Sequence, residues 1–307
     1  MTTLRVPIVS GGACLTPADG ASYSPRPPSP ASHPMTPEHP EAAYRRPVPP
    51  YPIETHELRL PSLPAALDGL RILHLSDLHV RRLSLRSGLM ARTLEALHVT
   101  PADLVLLTGD YADRPGHERA ALRTLCALAV AWRSRHGAAA VFGNHDTALM
   151  RRLARTVLGI RCIDTGAIDL AGLPVRILGA SYPEDLFAAA LSRSEDDRFE
   201  IALVHDPVAA MAAAELRVPL VLAGHTHGGQ VRLSPRAIPH TSSDLPASLA
   251  SGILRIDGTL CCISRGLGDA MLPLRLNCPP HAPLYVLRRS MEDHGPSQRA
   301  PRSLRPW

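Results

Sequence analysis

At 307 residues, 45% hydrophobic and 20% charged, the chain can bury one full core, which excludes an intrinsically disordered chain or a small disulfide scaffold. The formal charge of +5 rests on 33 basic residues that are all Arg, and aromatics are only 4%, so no interleaved basic and aromatic surface for nucleic acid is expected. Cys14, Cys126, Cys162, Cys261, Cys262 and Cys278 show no C-x-x-C spacing, and no apolar stretch approaches a membrane span. Thiols in a reducing cytoplasm are therefore expected.

Residues 1–52 hold 13 of the 31 prolines and little periodic apolar character, which predicts a disordered arm dispensable for chemistry. One domain is expected over 53–289, followed by a polar, disordered tail over 290–307. Glu57-Leu58-Arg59-Leu60 alternates like an edge strand. Five apolar runs follow: Ile72–Leu75, Leu104–Leu107, Ala139–Phe142, Ile201–Val204 and Leu220–Ala223. Short runs of this kind, separated by helix-like stretches at 88–98, 117–135, 147–158, 185–193 and 207–215, predict buried strands of an α/β sheet. Beyond Gly228 the segments are strand-like, at 230–233, 253–256, 260–264 and 284–287. Two sheets packed face to face with helices outside satisfy this order.

A cluster of metal-binding residue types follows each apolar run: Asp77-Leu78-His79, Gly109-Asp110-Tyr111-Ala112-Asp113, Gly143-Asn144-His145-Asp146, His205, and Gly224-His225-Thr226-His227. Open sheets place ligands at the carboxyl ends of their strands, so the five clusters are expected to converge. Carboxylates, imidazoles and one amide without thiolates suit Mn, Fe, Zn, Co or Mg. They are too many for one ion. A bridging carboxylate between two divalent ions would lower the pKa of a shared water and hold a phosphoryl group for in-line attack.

The ordered set Asp-x-His, Gly-Asp-x-x-Asp, Gly-Asn-His-Asp, a later His and Gly-His-x-His resembles the calcineurin-like metallophosphoesterases over residues 70–288. The resemblance implies a four-layer α/β/β/α sandwich of two mixed sheets with a dinuclear metal site at the strand ends. It implies Asp77, His79, Asp110 and His227 around one ion. Around the other it implies Asp110, Asn144, His205 and His225, with Asp110 bridging. His145 is then a non-ligand that protonates the leaving oxygen or stabilises phosphoryl charge, and Asp113 stands where a carboxylate orients that histidine. Asp146 occupies the slot where many members have Glu.

Three further segments, 61–72, Gly228-Gly229-Gln230-Val231 and Ser264-Arg265-Gly266-Leu267-Gly268, resemble the bacterial membrane-associated branch, some of whose members hydrolyse UDP-2,3-diacylglucosamine. They imply a phosphodiester or pyrophosphate substrate and peripheral contact with the anionic inner membrane. Arg265, in its Gly-flanked turn, is a candidate phosphate contact. Leu83, Leu85, Leu89, Met90 and Leu94 interleave with Arg81, Arg82, Arg86 and Arg92 and could lie against lipid, or pack as an ordinary core helix. A phosphomonoesterase or protein phosphatase is the same chemistry on another substrate, although Asp113-Arg114 here is followed by Pro115 rather than Gly. A non-catalytic scaffold that keeps the metal site is the remaining alternative.

Overall fold

The computed structural model describes residues 35–37, 53–81, 88–234 and 237–290. Strands and helices alternate as the apolar runs require: β2 (Ile53–Leu60), β3 (Arg71–Leu75), α1 (Gly88–Val99), β4 (Leu104–Leu107), α2 (Glu118–Ala131), β5 (Ala138–Ala140), α3 (Ala148–Ala154) and β6 (Ile160–Cys162). The second half contains β7 (Thr165–Asp169), β8 (Val175–Ala180), α4 (Leu186–Ala190), β9 (Phe199–Val204), α5 (Ala210–Glu215), β10 (Leu220–Ala223), β11 (Gly252–Ile256), β12 (Thr259–Ile263) and β13 (Ala282–Arg289).

Two mixed sheets result. One has the order β2-β13-β3-β4-β5-β6. The other, β11-β12-β10-β9-β8-β7, gains a seventh strand at its β11 edge from β1 (Met35–Pro37). That short strand falls inside the stretch expected to be disordered. It pairs antiparallel with β11, Met35 opposite Ile256 and Pro37 opposite Leu254, so an open sheet edge gives these three residues a partner.

Because side chains alternate along a strand, each sheet presents two apolar faces. Ile72, Leu104 and Leu106 meet Ile177, Ile201, Leu203, Leu220 and Leu222 in the core between the sheets. Leu73, Leu75, Val105 and Leu107 face the other way, onto Met90, Leu97, Leu125, Leu128 and Met150 of α1–α3. Ala202, Val204, Val221 and Ala223 face Leu186, Ala210 and Ala213 of α4 and α5. The four layers are therefore helix, sheet, sheet, helix. Burial of both faces explains why these strands read as continuous apolar runs.

Several expected elements differ. Residues 230–233 form no strand: Gln230 has φ +51°, and its side chain bonds Ala270 and Leu272 carbonyls, leaving only a single bridge between Val231 and Leu276. In the Arg- and Leu-rich stretch, 82–87 lie outside the described residues, while Met90 is buried and Leu94 packs on the helix-side core. The apolar half of α1 therefore faces the protein. Among the described residues no helix is long and apolar enough to cross a membrane.

Candidate metal centre

The carboxyl ends of β3, β4, β5, β9 and β10 release the five clusters into loops at one edge of the sandwich. The loops are held together by backbone hydrogen bonds, Asp77 N to Gly109 O at 3.0 Å, His79 N to Asp110 O at 3.0 Å and Gly224 N to His205 O at 3.0 Å. Asp77, His79, Asp110, His225 and His227 all have positive φ, between +38° and +68°. Left-handed backbone is uncommon outside glycine, and although Asp and His adopt it more readily than most residues, its concentration in five of the candidate ligands marks a loop set held by its surroundings. The motif glycines have a steric reason: a Cβ on Gly143 would strike the Asp110 carboxylate, and one on Gly224 would strike Ser76 Oγ and Asp77 Oδ2.

Two donor groups form. Asp77, His79 and His227 have ligand atoms within 4.8 Å of one another, as do Asp110, His205 and His225. Asp110 lies between them, its Oδ2 3.3 Å from His79 Nε2 and 3.3 Å from His205 Nε2. His227 Nε2 is 3.1 Å from His79 Nε2 and 3.6 Å from Asp77 Oδ1. Asn144 brings Oδ1 to 3.0 Å from His205 Nε2.

The donor set fits a cation. His205 Nδ1 donates to Thr108 O at 2.7 Å and His225 Nε2 donates to Ser242 O at 2.8 Å. In the neutral rings this leaves His205 Nε2 and His225 Nδ1 as lone pairs facing each other at 3.0 Å, beside the Asn144 and Asp110 oxygens. Only a positive charge satisfies that many acceptors. In the protein alone a proton serves: burial opposes charge on His205, but the Asp110 carboxylate pushes its pKa up to about 10. His79 behaves alike, burial being outweighed by Asp110 and Asp113, and its pKa rises to about 9. Burial would raise Asp110, yet His205 and His79 on either side hold it well below the usual carboxylate range.

Around these atoms a second layer fixes the geometry. Asp146 accepts from the backbone N–H groups of Asp110, Tyr111 and Gly143 at 2.8, 2.9 and 2.9 Å, which locks the second and third clusters together. His74 Nε2 meets Thr108 Oγ1 at 2.9 Å, Thr108 donates to Ser76 Oγ at 2.6 Å, and Ser76 donates to Asp77 Oδ2.

Two sequence expectations need correction. His145 Nδ1 donates to the backbone carbonyl of Asp113 at 2.8 Å, so the main chain, not the carboxylate, orients that ring. The Asp113 carboxylate lies 3.7 Å from His79 Nδ1 and 3.4 Å from Arg81 Nε, because the loop turns the side chain toward the donor histidine. Arg265 is buried and does not face the centre. Its Nη2 donates to Glu54 Oε1 at 2.7 Å and its Nε to Pro279 O at 3.0 Å, which leaves it a structural tie rather than a phosphate contact.

Three contributors escaped the sequence reading. Glu184 accepts from His205 N at 3.0 Å and Asp206 N at 2.8 Å. The Tyr182 ring stacks on His225 at 6.3 Å between centroids. Arg275 donates to the carbonyls of Arg265 and Gly266 at 2.9 and 3.2 Å and lies 3.4 Å from His227 Nδ1. None of the three sits in a motif, so spacing gave no signal for them. Beside His227 and Thr226 opens a cavity of about 250 Å³ whose walls include Val231, Pro239, Met271 and Leu272.

Comparison with known proteins agrees with this geometry. The family model for calcineurin-like phosphoesterases matches residues 70–229, over half of the chain. The uncharacterized metallophosphoesterase YkuE of Bacillus subtilis is 31% identical over 80% of this chain and 89% of its own length. The uncharacterized metallophosphoesterase YkoQ of the same organism is 29% identical over 71% and 83%. The phosphodiesterase YaeI of Escherichia coli is 30% identical over 71% and 82%. The strand-end cluster of imidazoles and carboxylates, with a family match spanning all five of its loops, makes this chain a calcineurin-like phosphoesterase and a metal-dependent phosphohydrolase.

Proposed function

We propose that the chain hydrolyses a phosphodiester or pyrophosphate bond with two divalent ions. Asp77, His79, Asp110 and His227 hold one ion, and Asp110, Asn144, His205 and His225 hold the other. The observation that carries this reading is Asp110 Oδ2, equidistant at 3.3 Å from a histidine nitrogen of each group. When bound, the ions supply Lewis acidity for the phosphoryl oxygens and an activated water.

The protein's own part is positioning and proton movement. His145, half-exposed and anchored through Nδ1, offers Nε2 to a leaving oxygen, while its backbone N–H donates to Asp110 Oδ1 at 2.9 Å and ties it to the shared carboxylate. Asp113 acts on His79 and holds that ring as a ligand, in the manner of carboxylate–histidine pairs at metal sites.

For the substrate, similarity to the Escherichia coli phosphodiesterase favours a diester, and the cavity beside His227 favours an apolar portion attached to it. Met271 and Leu272 on the cavity rim are 82% and 63% exposed, and Leu233, Leu274 and Leu276 nearby in sequence are exposed as well. A lipid-linked diester or pyrophosphate delivered from an anionic membrane surface fits that rim. Hydrolysis of bis-p-nitrophenyl phosphate, UDP-diacylglucosamine and a phosphopeptide by the metal-loaded protein tests the reading. Preference for the first two supports it. Preference for the phosphopeptide sinks the diester assignment.

A further inference from the structure

A second, separate group of donors sits on the edge strand β2. Glu54 and His56 are two residues apart and so share a face of the strand, and that row continues through Leu58 and Leu60, which are buried in the core between the sheets. Apolar side chains are expected at 54 and 56. A glutamate and a histidine stand there instead, and the parallel partner β13 brings its preceding residue, His281, against them.

The three side chains present Glu54 Oε2, His56 Nε2 and His281 Nε2 to a common point. The separations are 3.8 Å from Glu54 to His56, 3.7 Å from Glu54 to His281 and 3.5 Å between the two nitrogens. These are at or beyond the limit of a useful hydrogen bond. His281 is only 4% exposed, its Nδ1 has no hydrogen-bond partner among the described residues, and its Nε2 meets only His56 Nε2 at 3.5 Å and Glu54 Oε2 at 3.7 Å, so hydrogen bonding gives little reason for an imidazole at this position. A point equidistant from the three atoms lies about 2.1 Å from each, the length of a zinc–nitrogen or zinc–oxygen bond. At that bond length a tetrahedral ion has ligands about 3.4 Å apart and an octahedral one about 3.0 Å, so these separations lie nearer the tetrahedral value and a little open of it, with the ion close to the plane of the three atoms. The other carboxylate oxygen, Oε1, is held by Arg265 Nη2 at 2.7 Å, which fixes the orientation of Oε2.

We propose that Glu54, His56 and His281 form a mononuclear, zinc-type site distinct from the Asp110 centre. The fourth position is open toward solvent, since His56 and Glu54 are only partly buried. The ion clamps edge strand β2 to the segment entering β13. That segment's neighbour, the 265–268 loop, lies against Asp77: Gly268 N donates to Asp77 O at 2.7 Å and His281 N to Gly266 O at 3.0 Å.

Zinc content of the full chain, measured after exhaustive zinc loading and removal of free ion, tests the site against His56→Ala and Glu54→Gln. Gln keeps the oxygen that Arg265 holds while removing the anionic ligand, so it guards against misfolding in the Ala variant. Both variants are expected to bind one zinc ion fewer per chain than the parent and to retain bis-p-nitrophenyl phosphate hydrolysis. Equal zinc content in the parent and in either folded variant overturns the proposal. The comparison is a difference between chains with the same Asp110 centre, so it stands or falls independently of the dinuclear reading.

Discussion

His145 and Asp113 adjoin one another, yet the proposed function gives them different work. His145→Ala is expected to lower turnover by about 10²–10⁴-fold, the usual range for losing a general acid, while metal content is unchanged; steady-state kinetics with metal analysis on the same sample check it. Asp113→Asn is expected to weaken metal affinity by about 10–100-fold, because its carboxylate faces His79, and a competition titration with a chelator measures the loss. An Asp113→Asn variant with parental metal affinity and lower turnover would return the carboxylate to His145. Metal loading should also displace protons. His79 and His205, pushed up to about 9 and about 10, are both charged at neutral pH in the metal-free protein, so loading releases roughly two protons per chain and strengthens as pH rises. Weakly buffered titration with a pH indicator reads the release; loading with no proton release contradicts the proton-for-metal exchange. The seven motif residues that converge at the strand ends were legible in the sequence because short loops after buried strands must carry their chemistry as adjacent residues. Glu184, Tyr182 and Arg275 were not, since each reaches the site from a loop whose relation to it exists only in three dimensions.

At the scale of elements, β3 shows how a polar residue survives in a buried strand. Its row facing the second sheet is Ile72 and His74. His74 is fully buried, with Nε2 on Thr108 Oγ1 at 2.9 Å. Burial drives its pKa down to about 3 against an ordinary 6.5, so the native state keeps it neutral. A depressed folded pKa means stability is complete above pH 6.5 and is lost as pH falls from there toward 3, by up to about 1.4 kcal/mol per pH unit. Urea unfolding between pH 7 and 4 checks this, and His74→Asn should flatten the slope over that interval. Strands β3, β4, β9, β10, β11 and β12 could be read from sequence because each is an apolar run or alternation. Strand β8 was missed because Arg176 and Gly179 interrupt Val175–Ala180. Arg176 is nonetheless buried, its Nε held by Asp169 at 2.8 Å and its Nη1 by the Ser194 carbonyl at 3.0 Å, a compensation that no local pattern reveals. The predicted strand at 230–233 failed for the opposite reason: its Val231 borders the cavity beside His227 instead of a sheet, and its Leu233 is exposed.

For the molecule as a whole, the layered sandwich explains why five dispersed motifs become one site. Parallel strands β3, β4 and β5 of one sheet and β9 and β10 of the other all end at the same edge. Asp110, from the end of β4, reaches His79 of its own sheet and His205 of the opposite one, and so joins the two sheets chemically. Anomalous diffraction at the manganese edge, on crystals of the manganese-loaded protein, tests that claim most directly. Two peaks about 3.5–4 Å apart, one on each side of the Asp110 carboxylate, are the predicted result. A single peak, or two that do not share Asp110, would contradict the dinuclear centre.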